Sequence, residues 1–248
     1  MSKYKIIVRS PGWRAFTACT LGVSVMSPNW QNDYFASILA FAAANFQTIR
    51  IDLTDALYRH NFMAQGFLPV EAAARADAIG AAWLERHQHM IEASTVTPDV
   101  IRWSQWHRHS DYDTVLEAVT RAYDTSPMFR DAVESDVSEF CRRQGRQATA
   151  SGCRHSRDYL LEEVAVFTLE ARALPSLKLY PGDEPMCVNI VRRGLVPEAP
   201  RGLEREQYAK VKFHTRGYQA NQAPGPQSPS VSLAERSVHA SPFRLILS

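Results

Sequence analysis

The sequence predicts an α/β fold in one large domain, with a mainly parallel central sheet flanked by helices. Three observations carry this. Strand-like apolar runs alternate with helix-like stretches across the first 213 residues. A strand, a helix and a second strand follow one another between Phe16 and Asp52, the spacing that a parallel pair and its crossover require. The 248 residues are 45% hydrophobic, enough to bury one sizeable core.

The first ten residues, MSKYKIIVRS, hold only a three-residue apolar run, far short of a signal-peptide core. They fall outside the predicted elements. Phe16 to Val25 is β-rich and predicts the first strand. Ser27-Pro28-Asn29 then reads as a helix start, a serine cap with proline in the first turn. That helix is expected to run to about Phe46, with Trp30, Tyr34, Ile38, Phe41 and Phe46 on its apolar side. Thr48 to Asp52 is the second strand. Pro69 to about Ile91 is alanine-rich and helical, and Val100 to Trp106 is expected to form a third strand. Helices are predicted over Asp111 to Tyr123, Pro127 to Arg143 and His155 to Arg172, with late strands over Ser176 to Tyr180 and Gln207 to Phe213. From His214 onward Pro, Gln, Ser and Gly dominate, so residues 214–248 read as a flexible tail behind a 1–213 domain. Phe243 to Leu247 is a weaker candidate for an edge strand.

Composition narrows the function classes. A formal charge of +2 excludes a global basic field, so any surface for a polyanion is local, and DNA is not an expected partner. The longest apolar stretch, Ser37 to Phe46, is too short to cross a bilayer. Cys19, Cys141, Cys153 and Cys187 show neither CxxC pairing nor histidines at zinc spacing. They read as packed thiols in a reducing cytoplasm, with no structural metal implied.

Chemistry concentrates in Cys19-Thr-Leu-Gly-Val-Ser24. Strand alternation places Thr20, Gly22 and Ser24 on one side and Leu21, Val23 and Val25 on the other. Ser24 ends the strand just before a helix, where open α/β sheets bind ligands. Gly22 leaves room for a ligand beside the backbone. Taken alone, small residues on a buried strand are better explained by packing, and the G-x-S-x-G elbow of hydrolases is absent because Met26 follows two after Ser24. Downstream, Tyr159 and Glu163 stand at i and i+4 on one helix face, with Val166 a further turn along. Glu162 is rotated away, toward solvent or a salt bridge.

Three segments together resemble the cyclodipeptide synthase family. Leu21-Gly22-Val23-Ser24 resembles its first signature, which ends in the catalytic serine. Tyr159-Leu-Leu-Glu-Glu163 followed by Val166-Phe167 resembles the second. Tyr180 falls where the family places another active-site tyrosine. The resemblance runs from Lys5 to about Phe213 and departs from the family pattern at Ala18 and Ala165. Ser27 together with Tyr180-Pro181 resembles the family's Tyr-Pro (XYP) branch.

The resemblance implies a Rossmann-like domain similar to the catalytic domain of class I Tyr/Trp-tRNA synthetases. HIGH and KMSKS motifs are absent from this sequence, so no nucleotide or other cofactor is expected. The implied activity is tRNA-dependent: two aminoacyl-tRNAs are substrates, Ser24 carries an aminoacyl and then a dipeptidyl ester, and ring closure releases a diketopiperazine. Glu163 is then an anchor for the α-ammonium group and a candidate base, Tyr159 a second polar contact and Tyr180 a proton relay. Carried over by position, Thr20, Gly22, Ile49, Val166 and Lys178 line the first aminoacyl pocket. Lys178 either meets an acidic substrate side chain, Glu or Asp, or points to solvent at a strand end. Arg142, Arg143, Arg146, Arg154 and Arg157 form a basic cluster before the Tyr159 helix and are the candidate tRNA contacts. The resemblance leaves room for a downstream tailoring enzyme. Two rival classes share these features: a serine-dependent aminoacyl-tRNA hydrolase, and a non-catalytic tRNA-binding module.

Overall fold

Alternating bulky and small residues in Ala18–Val23 and Thr48–Leu53 build the centre of the sheet in the computed structural model. It describes residues 3–9, 12–143, 150–173, 176–182, 186–196 and 208–215. The strands are β1 (Tyr4–Arg9), β2 (Ala18–Val23), β3 (Thr48–Leu53), β4 (Asp99–Arg102), β5 (Leu177–Tyr180) and β6 (Tyr208–Thr215). They form one sheet in the order β1-β6-β5-β2-β3-β4, parallel throughout except where β1 meets β6. β1 was not expected. Its sequence, YKIIVR, carries basic residues at both ends of a short apolar run, which suits an edge strand.

The helices are α1 (Asn32–Asn45), α2 (Arg59–Ala64), α3 (Pro69–Glu92), α4 (Trp103–Trp106), α5 (Tyr112–Thr125), α6 (Pro127–Arg143), α7 (Ala150–Ala173) and α8 (Met186–Arg192). Register fixes what each sheet face carries. Cys19 lies opposite Ile49 and Leu177, while Thr20 lies opposite Arg50 and Lys178, and Gly22 opposite Asp52. Paired residues share a face and neighbours alternate. One face is therefore apolar: Leu21, Ile51, Leu53 and Leu179 are fully buried against Phe35, Ile38 and Leu39 of α1 and Trp83 of α3. Each such side chain contributes roughly 1.5–3 kcal/mol through burial. The other face is polar, carrying Thr20, Gly22, Asp52, Lys178 and Tyr180. A second apolar cluster, built largely from α5, α6, α7 and α8, lies apart from the first.

Strand order places the site. β2, β3 and β4 progress one way from the centre, and β5 and β6 lie on the other side of β2. The order reverses between β2 and β5, which opens a crevice at their carboxyl ends. Ser24 follows β2 there, and Tyr180 ends β5.

Two local expectations are corrected. Ser27 makes no side-chain cap; its carbonyl accepts from Trp30 N at 3.0 Å and starts a 3-10 turn over Pro28–Trp30. The helix proper begins after Gln31, so its buried stripe is Phe35, Ile38, Leu39 and Ala42 rather than one led by Tyr34 and Phe41. The expected strand to Trp106 stops at Arg102. Asp55 Oδ1 accepts Trp103 N at 3.1 Å and Gln105 Oε1 accepts Arg102 N at 2.7 Å, which closes a helical turn and buries Trp103 and Trp106 together. The tail, apart from His214 and Thr215 at the end of β6, lies outside the described residues, as does the Phe243 to Leu247 segment.

Candidate active site

The crevice at the switch point is a cavity enclosing about 540 Å3 of space, its open mouth included. Gly22 and Ser24 from the β2 end, Asp52 and Thr54 from the β3 end, and Lys178 and Tyr180 from β5 form one wall. Tyr159, Glu163, Phe167 and Glu170 of α7 form the wall facing it, with Trp103 and Cys187 beside them. Spacings of four, four and three residues keep these α7 side chains on one stripe. Residues far apart in the chain, Ser24, Tyr159, Glu163 and Tyr180, thus share a single cavity.

Ser24 Oγ lies 2.7 Å from Tyr58 Oη, in hydrogen-bond contact. Its partner is therefore a phenol rather than an imidazole. Burial pushes the Tyr58 hydroxyl up to about 12, so it keeps its proton at neutral pH. Burial and the nearby Glu163 hold Tyr159 and Tyr180 well above the ordinary phenol range as well. All three phenols keep their protons at neutral pH and are not bases there. Cys187 is a second nucleophile in the cavity, but burial and the surrounding carboxyls push its thiol well up and keep it protonated.

Glu163 is the group poised to titrate. Burial raises its carboxyl to about 7, partly opposed by the charge of Lys178. Deeper in, Lys178 Nζ donates to Glu170 Oε2 at 2.6 Å and lies 4.7 Å from the Phe167 ring. Burial works against the lysine's charge, but Glu170 and Asp52 outweigh it and push Lys178 up. Asp52 is buried beside Glu170, and neither of its oxygens accepts from a donor among the described residues. Burial and the adjacent Glu170 drive it well above the usual carboxylate range. Glu170 moves down despite its burial, held there by Lys178.

The family model for cyclodipeptide synthases matches residues 13–199. The chain belongs to the cyclodipeptide synthase family. No curated protein matches the sequence. Among solved structures, a cyclodipeptide synthase from Fluoribacter dumoffii is similar at 22% identity, with a TM-score of 0.76, covering 85% of this chain and 98% of that one. A Mycobacterium tuberculosis protein, whose structure is reported to relate cyclodipeptide synthetases to type I tRNA synthetases, is 16% identical with a TM-score of 0.64, covering 85% and 93%. A synthase from Candidatus Glomeribacter gigasporarum bound to Phe-tRNAPhe is 20% identical with a TM-score of 0.59, covering 88% and 93%. These likenesses agree with the parallel sheet and its flanking helices. The synthase is an aminoacyl-tRNA-using transferase.

Not every expected residue reaches the cavity of the synthase. Ile49 lies on the apolar sheet face, paired with Cys19 and buried there. Val166 is buried in the helical cluster, and Phe167 takes the place on the stripe expected for it. Thr20 shares the polar face but bonds Ser176 Oγ at 2.8 Å and lies outside the cavity lining, as does Ser27. Lys178 does not point to solvent. Of the two places expected for Glu162, solvent or a salt bridge, it takes the second: it is 3% exposed and paired four times over. Arg59 grips both its oxygens, and His60 Nε2 (2.9 Å), His107 Nε2 (2.7 Å) and Trp103 Nε1 (2.7 Å) complete the cage. Burial opposes this charge, but His107, His60 and Arg59 outweigh it and hold Glu162 far below the ordinary range.

Of the basic cluster, Arg154 is exposed and Arg142 is exposed but bound to Glu139. Arg157 is half-buried and donates to Tyr123 Oη at 3.1 Å. The Arg143 side chain and Arg146 lie outside the described residues. Sequence reasoning missed Tyr58, Asp52, Phe167, Glu170 and Cys187. The helical spacing from Tyr159 could have revealed Phe167 and Glu170. No described helix is long and apolar enough to cross a membrane.

Proposed function

We propose that the synthase joins two aminoacyl groups from aminoacyl-tRNAs through an ester on Ser24. The observation that carries this reading is the convergence of Ser24 with Tyr159, Glu163 and Tyr180 in one cavity. Ser24 Oγ attacks the first aminoacyl ester; the bond to the terminal ribose oxygen breaks, and the serine proton ends on that oxygen. The Tyr58 contact holds the hydroxyl in place. The ester is already activated, so a phenol partner suffices where a histidine would otherwise be needed.

The α-ammonium of the bound residue must lose a proton before it can attack. Glu163, titrating at about 7, binds that ammonium when ionised and accepts the proton. The freed amine attacks the ester of the second aminoacyl-tRNA, whose ribose oxygen departs protonated, and a dipeptidyl ester remains on Ser24. The dipeptide's own amine then closes on that ester, forming the second amide and returning a proton to Ser24 Oγ. Tyr180 keeps its proton and lies in the cavity, so it relays this last transfer.

One of the two readings of Lys178 had it meet an acidic substrate side chain. Its pairing with Glu170 leaves no unmatched positive charge, and Asp52 adds a second carboxyl. With Asp52 holding its proton and Lys178 matched by Glu170, the pocket suits a polar, uncharged side chain. Ser27 with Tyr180-Pro181 supports a place in the Tyr-Pro branch; Asn29 Nδ2 donates to the Pro181 carbonyl at 3.2 Å and ties the two segments together. Likeness to the relative bound to Phe-tRNAPhe supports tRNA-borne substrates, with exposed Arg154, in the first turns of α7, as a phosphate contact.

Incubation with tRNAs charged with each amino acid in turn, with product analysis, tests the reading. Wild type should release cyclic dipeptides containing a polar, uncharged residue, and Ser24→Ala none. Free amino acid as the sole product would instead mark a hydrolase, and no turnover a binding module.

A further inference from the structure

The cage around Glu162 leaves one consequence on its outer side. Glu162 is ionised and can only accept, so His60 must donate from Nε2. In the neutral ring that leaves the lone pair on Nδ1, and His60 Nδ1 is buried with no hydrogen-bond partner among the described residues. An unmatched buried acceptor is costly and rare. His155 of α7 repeats the feature: its Nδ1 is also buried and unpartnered. Asp158 stands one helical turn after His155, on the same face. One ligand atom from each of His60, His155 and Asp158 lies within 4.8 Å of the others.

We propose that these three residues form a binding site for a divalent transition-metal ion, with Zn2+ the best fit. Two imidazoles and one carboxylate are donors that zinc accepts, with a fourth position left for water. Donors around zinc at about 2.1 Å stand roughly 3.4 Å apart, so side-chain rotations of about an ångström close the site. Glu162 supplies the outer partner, since a metal-bound histidine characteristically donates its other N–H to a carboxylate. The expectation of no metal rested on cysteine spacing, which is blind to a histidine site shared between two helices.

The ion would act by position, outside the acyl-transfer steps. It ties α2 to α7 beside the cavity. Tyr58, the partner of Ser24, precedes His60 by two residues, and Tyr159 follows Asp158 directly. The His60 and Tyr159 rings are 6.4 Å apart.

Zinc titration of chelator-treated full-length protein, with calorimetry and elemental analysis, tests the site. Wild type should bind one Zn2+ per chain and gain melting temperature as it does so. His155→Gln and Asp158→Asn should each weaken binding by more than the ~10–100-fold that loss of an outer partner costs. Both variants should keep the wild-type circular dichroism and lose the zinc-dependent thermal shift. Failure of wild type to bind stoichiometrically, or equal binding by wild type and both variants, overturns the proposal.

Discussion

Glu162 and Glu163 are neighbours on α7, yet their surroundings push them to opposite chemical states. Glu162 meets Arg59, His60, His107 and Trp103 and stays ionised far below the usual range. Glu163 faces the cavity among phenols and a thiol, and burial lifts it to about 7. A single helical step of rotation separates a structural anion from a group able to exchange protons at neutral pH. Partners, not sequence position, decide which carboxylate is free for chemistry.

The largest expected effect lies on the catalytic side of this pair. Glu163→Gln keeps the size of the side chain but neither anchors an ammonium nor takes its proton, so cyclic dipeptide formation should fall ~10²–10⁴-fold. A steady-state rate within a few-fold of wild type would remove Glu163 from the proton transfer.

Next comes the structural side. Glu162→Gln leaves Arg59 and three other donors around a neutral amide, and should cost about 3–5 kcal/mol of stability. Urea unfolding measures it; an unchanged midpoint would show that the cage contributes nothing to the fold.

A smaller effect sharpens the contrast through pH. Folded Glu163 holds its proton up to about 7, whereas its ordinary value is 4.5. Between those values the folded state binds more protons than the unfolded one, so stability falls as pH rises. Above 7 the cost reaches about 3 kcal/mol, discounted for any water in the cavity. Glu163→Gln should therefore match wild type in stability below pH 4.5 and exceed it at pH 8, read from thermal melts across that range. Glu162 gives the opposite sign: its contribution is present above 4.5 and lost as acid protonates it.

Much of this was legible in the chain. The β2–α1–β3 unit and the faces of Thr20, Gly22 and Ser24 follow from strand alternation, which backbone geometry enforces locally. The Tyr159–Glu163 stripe follows from helical spacing for the same reason. β1 was not legible, because YKIIVR becomes a strand only by pairing with β6 some 200 residues away. Tyr58 was equally hidden, since it reaches Ser24 from a 3-10 turn whose placement depends on tertiary packing. Ile49 failed for a subtler reason: register put Asp52 and Arg50 on the site's face, and pairing register is not readable from one strand alone.

The nucleophile remains the claim on which everything else depends, and trapping the acyl-enzyme tests it most directly. Protein mixed with isotopically labelled aminoacyl-tRNA, quenched in acid and mapped by peptide mass spectrometry, should carry the label as an ester on Ser24, and Ser24→Ala should carry none. Label on Cys187, or cyclic dipeptide made by Ser24→Ala at the wild-type rate, would contradict the account.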